Sequence, residues 1–237
     1  MRFLILSDIH ANWDALDAVL NRAEGLYDLV LNCGDLVGYG PEPNRVVDWC
    51  RATNVAVVRG NHDKAAVGLA DLEWFNPIAK EAALWTADML TQENRVYLAT
   101  LPIGPLPVQD FAILHGSPDD EDEYLVQPSD LNGINPAYTL SFFGHTHLQG
   151  GFCIHRNQVG ELEDRTVFIE ETSAYLVNPG SVGQPRDHDP RAAFALYDSD
   201  AKTVAYHRVD YDISSTAKKI FDAGLPEALG LRLFRGA

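Results

Sequence analysis

The opening of the chain alternates strand-like and helix-like runs, and that alternation limits the fold more than any other feature of the sequence. Arg2–Leu6 (RFLIL) is of strand length and, past Arg2, has nothing polar to face water, so it reads as a central strand buried on both faces. Trp13, Leu16, Val19, Leu20 and Ala23 then recur at helical spacing, with Asn12 in the N-cap position and Gly25 as a stop. Asp28–Cys33 (DLVLNC) is strand again, closed by Gly34-Asp35. Residues from about 44 to 52 read as a helix after Pro41 and Pro43, and Val55–Arg59 (VAVVR) is a third strand. A β-α-β-α-β order builds a mostly parallel sheet with right-handed crossovers.

Residues from about 64 to 94 are helical in composition, with the apolar residues concentrated at 65–70 and 78–90, and are expected to form a helical insertion. After a bend rich in proline (Pro102, Pro105, Pro107) the pattern returns to strands at Phe111–Leu114, Thr139–Phe143, Gly151–His155, Val167–Glu170 and Tyr175–Val177. A hairpin from Ala192 to about Val209 and an amphipathic helix from near Ser214, carrying Ile220 and Phe221, complete the pattern. The acidic run Asp119–Glu123 (DDEDE) sits between strands and reads as a solvated loop. A chain of 237 residues buries roughly 70% of its unfolded surface, enough for a core without cross-links. One domain over 1–237 is expected.

Charge narrows the partners. Thirty-four acidic residues against eighteen basic ones leave −16 at pH 7, which disfavours bulk nucleic acid and anionic membrane surfaces. Any phosphate-bearing substrate then needs a local positive charge that bound metal ions can supply. The three cysteines, Cys33, Cys50 and Cys153, form no CxxC pair and no disulfide framework, which fits a reducing compartment. No stretch approaches the roughly 20 apolar residues of a membrane span, and the apolar run Phe3–Leu6 stops at Ser7-Asp8, short of a signal-peptide core. A cytoplasmic protein is expected.

Five short polar clusters each follow an apolar strand-like run: Asp8-Ile9-His10, Gly34-Asp35, Gly60-Asn61-His62-Asp63, His115-Gly116 and Gly144-His145-Thr146-His147. In an open α/β sheet the carboxyl ends of the strands share one crevice, where ligands bind. Five distant segments should therefore deliver side chains to one place. Alternate residues of an extended chain leave on the same side, so Asp8 with His10, and His145 with His147, can each aim two donors at one point. Carboxylates, imidazoles and an amide, without a thiolate, suit divalent Mn, Fe, Zn or Ni. One Asp-x-His alone carries little; five clusters in this order carry much.

The order D-x-H, G-D, G-N-H-D, H-G, G-H-x-H resembles that of the calcineurin-like metallophosphoesterases. The likeness runs from Phe3 to about Asp198, and Asn178–Arg186 (NPGSVGQPR) looks like the small bacterial and archaeal branch of that family. The resemblance implies an α/β fold of two mixed sheets packed face to face with flanking helices. It implies two divalent metal ions, manganese first among the candidates. Asp8, His10 and His147 would hold one, Asn61, His115 and His145 the other, and Asp35 would bridge them. His62 would be the catalytic imidazole, with Asp63 beside it. The implied activity is phosphoester hydrolysis, of diesters or monoesters, in which a water shared by the ions attacks phosphorus and His62 assists the leaving group. The substrate would be a small phosphoester or a nucleotide. A nucleotide or protein phosphatase and a non-catalytic scaffold on the same fold are the alternatives, and a homo-oligomer is compatible with all of them. One departure stands out: many members carry a second Asp three residues after the bridging one, where this chain has Gly38.

Other residues admit two readings each. Asn12 either caps a helix or contacts substrate phosphate, and Arg186 is either a surface arginine or a substrate contact. Cys33, near Asp35, reads as a buried apolar strand cysteine. Trp74, Phe75, Trp85 and Met89 read as helix packing.

Overall fold

The computed structural model describes residues 1–162 and 164–237. The first half contains β1 (Arg2–Leu6), α1 (Trp13–Ala23), β2 (Leu29–Asn32), α2 (Pro43–Thr53), β3 (Ala56–Val57), α3 (Asn61–Ala66), α4 (Pro77–Met89) and α5 (Gln92–Ala99). Strands dominate next: β4 (Leu106–Val108), β5 (Phe111–Ile113), β6 (Leu140–Phe142), β7 (Gly150–His155), β8 (Gln158–Glu161), β9 (Thr166–Phe168), β10 (Ala174–Asn178), β11 (Ala192–Asp198) and β12 (Thr203–Val209). Helices α6 (Ile213–Asp222) and α7 (Glu227–Leu233) follow.

Among the described residues the strands form two six-stranded sheets, ordered β3-β2-β1-β11-β12-β9 and β4-β5-β6-β10-β7-β8. Both are mixed. β1 pairs parallel with β2 and antiparallel with β11, while β6 pairs parallel with β5 and β10. The period of two along β1 shows how the layers stack. Phe3 and Ile5 join Phe111, Phe142, Val177 and Tyr197 in a core between the sheets. Leu4 and Leu6 turn the other way and pack with Leu16, Val19, Val46 and Val47 of the helices. A continuous apolar strand is thus explained by burial on two faces. The outer face of the second sheet is covered by the 125–131 segment, through Leu125 and Leu131 against Phe143, Phe152 and Leu176.

Some elements differ from the sequence pattern. The third strand is cut to two residues, because only Ala56 and Val57 find partners on β2. The helical stretch begins earlier, at Asn61, breaks after Ala66, and restarts at Pro77 and Gln92, where Asn76 and Thr91 cap the new helices. Strand β4 lies inside the proline-rich bend. Pro107 is tolerated there because β4 is an edge strand that loses no essential donor. Strand β8 is a hairpin partner of β7 across Arg156-Asn157, both at positive φ (49° and 65°). Helix α7 has no counterpart in the sequence reading.

Candidate metal centre

The five polar clusters meet where strands of both sheets end. Asp8 and His10 follow β1, Asp35 follows β2, Asn61 opens α3 after β3, His115 follows β5, and His145 and His147 follow β6. The chain bends sharply as it leaves the strands: Asp8, His10, Asp35, His145 and His147 have φ of 51°, 49°, 55°, 66° and 62°. This left-handed region is unfavourable for residues other than glycine, at about 1 kcal/mol or more each. Backbone hydrogen bonds between loops hold it: Asp8 N donates to Gly34 O and His10 N to Asp35 O, both at 3.0 Å. Gly144 lies so close to Ser7 and Asp8 that a side chain there would overlap the Ser7 hydroxyl.

Donor atoms gather in two groups that share Asp35. One comprises Asp8, His10, Asp35 and His147, the other Asp35, His115 and His145, and within each the donor atoms lie within 4.8 Å of one another. Asp35 Oδ2 stands between them, 3.6 Å from His10 Nε2 and 3.5 Å from His115 Nε2. Its other oxygen accepts the backbone N–H of His62 at 2.9 Å. Asn61 joins the second group, with Oδ1 3.2 Å from His115 Nε2.

Backbone carbonyls fix how each ring is protonated, since a carbonyl can only accept. His10 Nδ1 donates to Val37 O (3.0 Å), His115 Nδ1 to Cys33 O (2.8 Å) and His147 Nδ1 to Gln184 O (2.6 Å). His145 does the reverse, donating Nε2 to Asp122 O at 3.0 Å. The inward nitrogens are therefore lone pairs. His10 Nε2 faces His147 Nε2 at 3.0 Å, and His115 Nε2 faces the Asn61 carbonyl oxygen. Such pairs of acceptors repel unless a cation lies beside them. Outer partners of this kind are what orient metal-binding histidines.

Electrostatics point the same way. Burial pushes His10 and His147 well below the usual histidine range, aided by His62 and Arg186 for the first and by Arg186 and His10 for the second. Burial, then His115, takes His145 down to about 2. Neutral imidazole is the form that binds metals. Burial also raises Asp8 to about 7 and Asp35 well above its ordinary value, the latter with help from Asp63. Two buried carboxylates facing lone pairs are short of positive charge. The donor set fits divalent cations.

The remaining expected residues are placed as follows. His62 is buried beside the first group, its ring 5.0 Å from that of His10, 4.3 Å from Tyr39 and 5.3 Å from Phe75. Its Nδ1 has no partner among the described residues. Gly38 (φ 88°) explains the departure from the family pattern: a Cβ there would lie 2.6 Å from His62 Nδ1, so the ring occupies the space a second Asp would need. Asp63 turns away from the centre, and its oxygens accept the backbone N–H groups of Asp35 (2.9 Å), Gly60 (3.0 Å) and Val37 (3.2 Å). Asn12 caps α1 through Ala15 N and gives its amide hydrogens to Gly183 O and the Tyr211 hydroxyl, so it has no donor left for a phosphate. Arg186 is half-buried, its Cζ 5.9 Å from the centre of the Tyr39 ring. Cys33 is buried in the core between the sheets. Of the aromatics read as packing, Phe75 meets His62, whereas Trp74 is 89% exposed.

The acidic run is not simply solvated. Glu121 accepts from Arg59 Nη2 (2.7 Å) and Lys64 Nζ (3.0 Å), and Asp122 accepts from Lys64 Nζ at 2.6 Å. The loop is thereby clamped onto α3, with the Asp122 carbonyl on His145 and the Tyr124 ring 3.8 Å from the same imidazole. Sequence reading also missed Tyr39, Gln184 and Arg232, which surround the centre without belonging to any cluster. Only Gln184 carried a signal, by lying within the Asn178–Arg186 stretch.

The calcineurin-like phosphoesterase superfamily domain matches residues 1–202. An uncharacterized protein of Methanocaldococcus jannaschii is 35% identical over 98% of this chain and 97% of its own length. The crystal structure of a metallophosphoesterase from Sphaerobacter thermophilus superposes with a TM-score of 0.84, at 39% identity, over 100% of this chain and 99% of that one. A hypothetical protein from Pyrococcus horikoshii OT3 shares the fold at TM-score 0.81 and 22% identity, covering 100% and 98%. Together with the two mixed sheets and the Asp/His cluster at their strand ends, these matches show that the chain belongs to the calcineurin-like phosphoesterase superfamily.

Proposed function

We propose that the protein hydrolyses small phosphoesters, nucleotides included, with two divalent ions bound at the paired donor groups, manganese first among Mn, Fe, Zn and Ni. One observation carries the reading: a single oxygen, Asp35 Oδ2, faces a histidine nitrogen of each group at 3.6 and 3.5 Å. Asp8, His10 and His147 would hold one ion, Asn61, His115 and His145 the other, with Asp35 common to both. When bound, such ions polarise the phosphoryl group and acidify a water.

The chain supplies the rest. Asp63 fixes the Asp35 backbone from behind and acts by positioning. His62, pushed down to about 3 by burial, then by the charges of Arg186 and His115, enters neutral. An arriving phosphate opposes the effect of Arg186 and raises its proton affinity, so the imidazole can hydrogen-bond the leaving oxygen. Arg186 adds the cationic side chain that an acidic protein needs beside an anion. Three free cysteines fit a reducing, cytoplasmic setting.

The reading is tested by assaying purified protein, reconstituted in turn with each of the four metals, on p-nitrophenyl phosphate, bis-p-nitrophenyl phosphate and nucleotides, with elemental analysis alongside. Metal-dependent release of product at about two ions per chain is expected. A fully loaded protein that turns over no phosphoester overturns the proposal.

A further inference from the structure

Two guanidiniums converge beside the metal centre. Arg186 Nη2 and Arg232 Nη1 both donate to Gln184 Oε1, at 3.2 and 3.3 Å. Gln184 is 3% exposed, and its backbone carbonyl is the acceptor that orients His147. The Tyr39 ring under Arg186 lies 4.7 Å from the His10 ring. Among the described residues neither arginine has a carboxylate within 4.0 Å, in a chain with 34 acidic residues. One amide oxygen is a weak partner for two cations. Burial, with the charge of Arg186, pulls Arg232 below the usual arginine range.

The position of Arg232 is built into the fold. It lies on α7, whose Leu229 and Leu233 are buried with Tyr39, Ala79 and Ile220. Leu233 also lines a small cavity shared with His10, Tyr39 and Gln184. At Gly230 a Cβ would lie 2.6 Å from the Phe221 ring, so glycine lets α7 close onto α6. Helices α6 and α7, Arg232 included, lie past residue 202, where the superfamily match ends, so membership does not account for them.

We infer that Arg186 and Arg232 form a binding site for a second phosphoryl group, so that the preferred substrate is a small molecule with two linked phosphoryl groups. The inference rests on the phosphoesterase reading above. Arg186 stacks over Tyr39 beside His10, and its backbone N–H donates to His147 O at 3.3 Å, so it serves the reacting group. Arg232 shares the Gln184 side-chain oxygen with Arg186, and is assigned to the phosphoryl group next to the reacting one. Guanidinium forks match phosphate geometry with two hydrogen bonds each.

Isothermal titration of the manganese-loaded protein with methylphosphonate and with methylenediphosphonate tests this without turnover, metal content being measured after each titration. The wild type is expected to bind the diphosphonate about tenfold or more tighter. Arg232→Met, which keeps the packed stem but removes the charge, should lower that ratio on the order of tenfold, and Arg232→Lys should restore part of it. A wild-type ratio near one, a ratio unchanged in Arg232→Met, or loss of metal to the diphosphonate in place of binding overturns the inference and leaves the phosphoesterase reading standing. A loaded protein that binds neither probe and hydrolyses no phosphoester overturns both.

Discussion

At Asp35 the two carboxylate oxygens have different partners, one held by the His62 backbone and one turned to both donor groups. That division makes a short acidic side chain the link between the two donor groups. His62 depends on it, because the same N–H bond places the start of α3. On the proposed reading, His62→Ala lowers kcat on the order of 10²–10⁴, while elemental analysis still finds wild-type metal, since the ring is not a donor in either group. Equal turnover would remove His62 from the reaction. The donor residues were legible because each belongs to a short polar cluster at the end of an apolar run, and such ends converge. The role of Asp63 was not: sequence shows adjacency to His62, not that three backbone N–H groups absorb its carboxylate. Arg232 was illegible for another reason. Nothing near it in sequence carries chemistry, and only the docking of α7 brings it to Gln184.

Elements follow the same division. Strands buried on both faces and capped amphipathic helices were readable, because burial and capping leave marks in residue type. Edge pieces were less so: β4 and β8 had no counterpart and β3 is shorter than its apolar run, because each exists by virtue of a neighbour that offers a ladder. The acidic run Asp119–Glu123 is largely exposed, as its charge suggests, but charge alone does not show that Arg59 and Lys64 reach Glu121 and Asp122 from distant elements. Burial alone would push Glu121 up, but hydrogen bonds from Arg59 and Lys64 outweigh this and hold it below the usual glutamate range. A carboxyl lowered in the folded state adds stability above its unfolded value and loses it as pH falls through the folded one. The clamp, shared with Asp122 on Lys64, should therefore persist at neutral pH and release only in acid below the glutamate range. Hydrogen exchange of the loop amides checks this: protection at residues 117–123 falls in that window, and Glu121→Gln shows the loss already at neutral pH. Protection insensitive to both would show that the ion pairs do not hold the loop.

For the whole molecule, a net charge of −16 coexists with buried carboxylates and inward lone pairs, so cations should stabilise the fold as well as serve chemistry. Binding to the folded state alone adds about 4 kcal/mol at a thousandfold excess over Kd, on the order of 10 °C in Tm for a chain of this size. Thermal melts before and after EDTA treatment should show a drop of that order, reversed by manganese. An unchanged Tm would mean that the centre takes no ion tightly. The left-handed bends at Asp8, His10, Asp35, His145 and His147 add a consequence for mutagenesis. Glycine or asparagine at these places suits the loop's curvature while deleting or weakening a ligand, whereas valine or isoleucine damages both. An inactive valine variant would thus report a broken scaffold, and only the glycine one isolates the missing ligand.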